Sequence, residues 1–310
     1  MADIAYVCFS DMHLGEEDSL LTNLREASSD TDTRRPSAVL KELVKCLRSL
    51  VSRNREDKKP TLILNGDILE LALCTTNEAA MAFERFIELV MKKGKELFDK
   101  RIIYVPGNHD HHLWETARER QYVEHIRKSK KKHLDIPWQV TNAFVEKGHG
   151  AVESHFLTTL VQRRFPDVVI EVAYPNFGLL SRDGARCVVF HHGHFIDPLY
   201  RLMSTLRTLA FSGSEEPTTI WDIEAENFAW IDFFWSTLGR SGNAGRAVEL
   251  AYEKMHEEKQ FKEFLYGFLD NLNDKYDLPG WDQATTWTLK RIASLLVEKQ
   301  AAILERKEPS

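Results

Sequence analysis

Four times in the first 194 residues, a short apolar run stops abruptly at a cluster of Asp, Asn or His. Ile4-Ala-Tyr-Val-Cys-Phe9 runs into Ser10-Asp11-Met12-His13, and Thr61-Leu-Ile-Leu64 runs into Asn65-Gly66-Asp67. Arg101-Ile-Ile-Tyr-Val105 runs into Pro106-Gly107-Asn108-His109-Asp110, and Cys187-Val-Val-Phe190 into His191-His192-Gly193-His194. Apolar, β-branched runs of this length are strand signals. Amphipathic stretches separate them. From Pro36 to Arg53, Val39, Leu43, Cys46, Leu47 and Leu50 recur on one helical face, with Pro36 placed in the first turn. A second helix is predicted from Asn77 to Phe98, and a third begins near Leu113. Val168 to Val172 is a further strand, and Phe177 to Phe190 a hairpin turning at Asp183-Gly184. Strands alternating with helices specify an α/β body.

In an open α/β sheet, ligands bind at the carboxyl ends of the strands. If the first three strands are neighbours, their tips bring two carboxylates, an amide and two imidazoles into one crevice. Oxygen and imidazole donors without thiolate suit Mn²⁺, Fe or Zn²⁺. The glycines before Asp67 and Asn108 let the backbone turn sharply and approach a metal closely. Each cluster alone has an ordinary explanation: Gly-Asp behind a strand is a common turn, and Asp110 could cap the helix that follows it. Their occurrence together, in order, each directly behind an apolar strand, is not ordinary turn chemistry.

From Phe195 the character changes. The last 116 residues hold 17 of the 32 aromatics, nearly twice the density of the rest, and helical spacing replaces strand patterns. Val248, Ala251 and Met255, then Phe261, Phe264, Leu265 and Phe268, then Leu289, Ile292, Leu295 and Leu296 form the apolar stripes. Residues 212–217 and 239–245 break the helices. The expected organisation is an α/β body over 1–195 and a mainly helical cap over 196–310.

The motif order resembles that of the calcineurin-like metallophosphoesterase superfamily: D-x-H, G-D-x-x-D/E, G-N-H-D/E, a histidine behind a strand, then G-H-x-H. Asp11/His13, Gly66-Asp67-Ile-Leu-Glu70, Gly107-Asn-His-Asp110 and His192 match the first four in order. Ser-Asp-Met-His-Leu-Gly15, Glu70 and Phe190-His-His-Gly-His-Phe-Ile-Asp197 are closest in wording to the branch of UDP-2,3-diacylglucosamine hydrolases. The resemblance covers about residues 1–197. It implies a β-sandwich flanked by helices and a site for two divalent metal ions, bridged by Asp67. Asp11 and His13 would hold one ion, Asn108 and His192 the other. His109 would face the leaving group as general acid, oriented by Glu70, and a hydroxide shared by the metals would attack phosphorus. No G-H-x-H follows His192: only His194 and His256 remain. A chain ending before that motif is the favoured explanation, with replacement by His194, His149 or His155, or a degenerate site, as the others.

Composition bounds the rest. Forty-one Lys and Arg against 47 Asp and Glu give a net charge of −6, which argues against a duplex-binding surface. The Arg127–His133 run is first a solvated face and second a clamp for phosphate or nucleic acid. His111 or His112 could line the crevice as readily as face solvent. No apolar run reaches membrane-span length and no signal peptide opens the chain. Four scattered cysteines fit a reducing cytoplasm. The aromatic stretch Asn227–Trp235 is read as cap core, or else as a wall for an acyl or aromatic leaving group or a peripheral membrane contact. The expected function is hydrolysis of a phosphomonoester, phosphodiester or pyrophosphate bond in a small-molecule or lipid-linked substrate. An inactive binding or scaffold module and a nuclease are the alternatives.

Overall fold

A computed structural model describes residues 3–28, 30–55, 58–134 and 151–196, and beyond these parts of 200–231 and 259–295. The chain divides into two units, Met1–Gly193 and His194–Ser310. The first is α/β, as its alternating pattern requires. It runs β1 (Tyr6–Phe9), α1 (Ala38–Val51), β2 (Thr61–Asn65), α2 (Thr76–Val90), β3 (Arg101–Val105), α3 (His112–Lys128), β4 (Val152–Glu153), α4 (His155–Gln162), β5 (Val169–Val172), β6 (Asn176–Leu180) and β7 (Cys187–His191). Five strands form a sheet in the order β1-β2-β3-β5-β4, parallel except for β4 against β5. The strands β6 and β7 form the separate hairpin, with Gly184 at φ 68° in its turn.

Burial explains why β2 and β3 are continuous apolar runs. Leu62, Ile63, Leu64 and Ile102 through Val105 are inaccessible to solvent because both faces of the sheet are covered. On one face lies the hairpin: Phe177, with Leu179 and Phe190 beside it, packs on Ile63, Ile103, Val105 and Ala173. The strand period of two turns Phe9 and its register partner Leu64 to the opposite face. There Phe86 of α2 meets Phe9 edge to face, with ring centroids 6.2 Å apart. Strand β1 is an edge, so Tyr6 and Cys8 are exposed.

Local signals set the helix ends, and several differ from expectation. Ser37 caps α1 through its hydroxyl, accepting from the Leu40 N–H at 3.0 Å, which leaves Pro36 outside the helix. The buried stripe is Leu40, Val44 and Leu47, while Val39 and Leu50 are exposed. Helix α2 opens on a capping box between Thr75 and Glu78 and ends at Val90, short of Phe98. Gly94, at φ 74°, turns the chain back, and the Leu97 N–H bonds the Val90 carbonyl. The two-residue β4 and the eight-residue α4 are additions to the expected elements.

In the second unit a 3₁₀ turn spans His194–Ile196, and α5 spans Ile220–Ile231. Thr219 and Asp222 exchange side chain–backbone hydrogen bonds at its start. The helix covers the first part of the aromatic stretch, and residues 232–235 lie outside the described residues. So do 239–245 and most of the apolar stripes on which the cap was predicted, His149 and His256 included. No helix among the described residues is long and apolar enough to cross a membrane.

Candidate metal centre

The pairing of β1 with β2 continues past the strands into the two loops behind them. The Asp11 N–H donates to the Gly66 carbonyl at 3.0 Å, His13 to Asp67 at 2.9 Å and Leu14 to Ile68 at 2.8 Å. The Glu70 N–H returns to the Leu14 carbonyl at 3.1 Å. Keeping these bonds puts Asp11, His13 and Asp67 at φ of 52°, 44° and 52°. Positive φ is uncommon away from glycine, though Asp and His tolerate it better than most residues. Such backbone costs of order 1–3 kcal/mol per residue and is characteristic of functional sites.

The third loop closes on the middle one. The His109 N–H donates to Asp67 Oδ1 at 2.9 Å, and the Leu71 N–H to the His109 carbonyl at 3.3 Å. From the hairpin side, β7 delivers His192, whose Nε2 lies 3.4 Å from Asp11 Oδ1 and 3.3 Å from Asp67 Oδ2. Two glycines clear this space. A Cβ on Gly66 would overlap the His192 ring, and one on Gly107 would overlap the Asp67 carboxylate. At Gly107, then, the need is room for a neighbouring carboxylate.

Two groups result: Asp11, Asp67 and His192, and His13, Glu70 and His109. In each the ligand atoms lie within 4.8 Å of one another. Glu70 Oε2 takes both imidazoles, His13 Nδ1 at 2.9 Å and His109 Nδ1 at 2.7 Å, while its Oε1 accepts the N–H groups of Ala72 and Leu73 at 2.9 Å each. Asn108 is buried between Gly107 and His109, the two residues of its loop that touch Asp67. All seven sequence-predicted site residues therefore lie on three adjacent loops and the end of β7.

Charge follows from this crowding. Burial alone would lift Glu70, but the imidazoles of His109 and His13 outweigh it and hold the carboxyl at about 2. Burial depresses His109, and the Asp67 and Glu70 carboxylates raise it past that to about 9. The hydrogen bond from His192 is the largest influence on Asp11, lowered to about 2. His192 is raised despite its burial, through Asp11 and Asp67. A pocket in which carboxylates raise the imidazoles beside them is one rich in negative potential, and two carboxylates and an imidazole form a donor set that fits a divalent cation.

Other candidates fall elsewhere. His194 belongs to the second unit, buried against Phe195 and Tyr200. His155 is exposed in the first turn of α4, 3.5 Å from Thr159 Oγ1. Among the described residues neither joins the two groups. His111 is buried edge-on to Tyr174, and His112 Nδ1 lies 2.9 Å from Glu115. The basic run is exposed at the end of α3 and beyond it, with Lys128 paired to Glu124 at 3.1 Å. Asp110 does not cap α3, whose cap position is His111 with no side-chain bond. The carboxylate points back to the Asp67 loop, a role that the motif's last letter marked without explaining.

A family model for calcineurin-like phosphoesterases matches residues 4–232, well over half of the chain. The chain belongs to the calcineurin-like phosphoesterase family. Calcineurin-like phosphoesterases are metal-dependent hydrolases of phosphate esters, and the two groups above are candidates for holding a metal ion. The match continues past Gly193 into the second unit, so the family region is longer than the 1–197 of the motif resemblance. No curated protein and no solved structure matches the chain.

Proposed function

We propose that this calcineurin-like phosphoesterase hydrolyses a phosphomonoester, phosphodiester or pyrophosphate bond at the centre formed by Asp11, His13, Asp67, Asn108 and His192. The observation that carries the reading is the meeting of Asp11, Asp67 and His192 beside a second, imidazole–carboxylate–imidazole group. Asp67, bonded by loops on both sides, would be shared by two cations, Mn, Fe or Zn. Asp11 and His13 would complete one, Asn108 and His192 the other. Such cations, when bound, acidify a water and draw charge off the phosphoryl oxygens.

The chain's own contribution is position and one proton. With Nδ1 of His109 held by Glu70, Nε2 is the nitrogen from which a proton passes to the departing oxygen. His13 is held the same way, which leaves its Nε2 to ligate; a carboxylate on the far nitrogen of a ligating imidazole fixes its tautomer and raises its basicity. The motif wording of the UDP-2,3-diacylglucosamine hydrolase branch supports a pyrophosphate in a lipid-linked substrate as the finer reading, and the free thiols support a cytoplasmic setting.

Metal content and hydrolysis of p-nitrophenyl phosphate with added Mn²⁺ test the proposal. Metal-dependent turnover lost in Asp67→Ala is expected; wild type indistinguishable from that variant removes the enzyme reading. A binding module without turnover is the second reading, favoured because no described residue after His192 joins either group. Calorimetry showing two tight Mn²⁺ sites counts against it. Nuclease action rests on the exposed basic run alone, and DNA binding that does not weaken with salt dismisses it.

A further inference from the structure

Four donors converge on the buried carboxylate of Asp110. The Ile68 N–H reaches Oδ2 at 2.9 Å, the Leu69 N–H reaches it at 3.4 Å, and the Tyr104 hydroxyl donates to the same oxygen. The Gly107 N–H takes Oδ1 at 2.6 Å. The Leu69 N–H is shared, since Tyr104 Oη also accepts it at 3.3 Å. Asp110 and Tyr104 are both inaccessible to solvent. The three backbone donors belong to two loops: Ile68 and Leu69 follow Asp67, and Gly107 precedes Asn108 and His109. Only an acceptor at both oxygens satisfies such a set, because an amide would turn its NH₂ on one of the N–H groups.

We infer that Asp110 and Tyr104 are positioning residues. They form a bracket that fixes the Asp67 loop against the Asn108–His109 loop and so sets the His109 N–H to Asp67 Oδ1 bond before any ligand arrives. This rests on the proposed metal-holding role of Asp67, but the bracket itself is a property of the unliganded chain. Tyr104 supplies its hydroxyl from the last residue but one of β3, so one ring is at once sheet core and the far anchor of the bracket. The strained φ of Asp67 gives the bracket its purpose: together with the bond from the Leu71 N–H to the His109 carbonyl, it opposes relaxation of the turn from the side of the third loop.

The test compares wild type, Tyr104→Phe, Asp110→Asn and Val44→Ala, the last a cavity variant in α1. Amide hydrogen exchange is followed in metal-free protein, and Mn²⁺ alone is titrated by calorimetry. In Tyr104→Phe and Asp110→Asn, exchange at Ile68, Leu69, Gly107 and His109 should quicken while β5 and α4 stay protected. Mn²⁺ binding should weaken tenfold or more, as for other residues that orient ligands. Val44→Ala should lower the melting temperature with Mn²⁺ affinity intact. Tyr104→Phe behaving like Val44→Ala, with those four amides as protected as in wild type, overturns the bracket. Should an Asp110 variant fail to fold, Tyr104→Phe decides alone. Should wild type bind no Mn²⁺, the metal reading of Asp67 fails, and the exchange pattern still decides the bracket.

Discussion

A proton donor and a metal ligand fail differently when removed, and His13 and His109 stand side by side with ring centroids 4.9 Å apart. His109→Asn should leave metal stoichiometry intact and lower kcat by about 10²–10⁴-fold, the range of general acid catalysis. The loss should be greatest for alkyl phosphates, whose leaving oxygen needs the proton, and milder for p-nitrophenyl phosphate. His13→Ala should lose metal and activity together. Equal metal loss in both variants, measured by elemental analysis, contradicts the division of roles. The glycines offer a second contrast. Gly94→Ala meets only backbone strain, about 1–2 kcal/mol, because nothing lies near its Cβ. Gly107→Ala drives a methyl into the Asp67 carboxylate and should abolish Mn²⁺ binding. Calorimetry on the two variants separates strain that only destabilises from crowding that disarms the site.

At the scale of elements, Phe86 is the clearest point of stress. It is inaccessible to solvent, meets Phe9 of the edge strand and lies beside Phe83. Phe86→Ala should cost about 3–5 kcal/mol in urea unfolding, with Mn²⁺ affinity per folded molecule unchanged. What was legible in the sequence follows the same burial. Strands β2 and β3 announce themselves because both faces are covered and no polar residue interrupts them. The face of α1 was legible only in part: the expected stripe Val39, Leu43, Cys46, Leu47 and Leu50 shares Leu47 with the buried one, Leu40, Val44 and Leu47, which faces α2. Helix α2 was read too long because Leu97 and Phe98 continue an apolar rhythm that Gly94 has already bent. The residues of the candidate centre were legible because their clusters follow closely behind strands. Tyr104 was not, since a tyrosine inside an apolar run looks like core until its hydroxyl is seen to reach Asp110.

For the whole molecule, holding cations should show in stability, because Asp11 and Asp67 converge in strained backbone with one imidazole between them. Mn²⁺ at 100 times its Kd should stabilise the protein by about 2.7 kcal/mol. For a folded region of this size that is a rise of about 5–10 °C in Tm. Differential scanning calorimetry should find the rise in wild type and none in Asp67→Ala; a rise in both would place the stabilising cation elsewhere. The imidazole in that group comes from far along the chain, since His192 is 181 residues beyond its partner Asp11. A ribosome working at about 5–20 residues per second needs roughly 4–16 s to travel from Asp110 to His192. During that interval the nascent chain carries three of the four clusters, with the carboxylates in place and the imidazole of His192 still unmade. Completion of the Asp11–Asp67–His192 group is therefore a late event in synthesis, and a product released before β7 would hold the acids of that group without the imidazole that joins them.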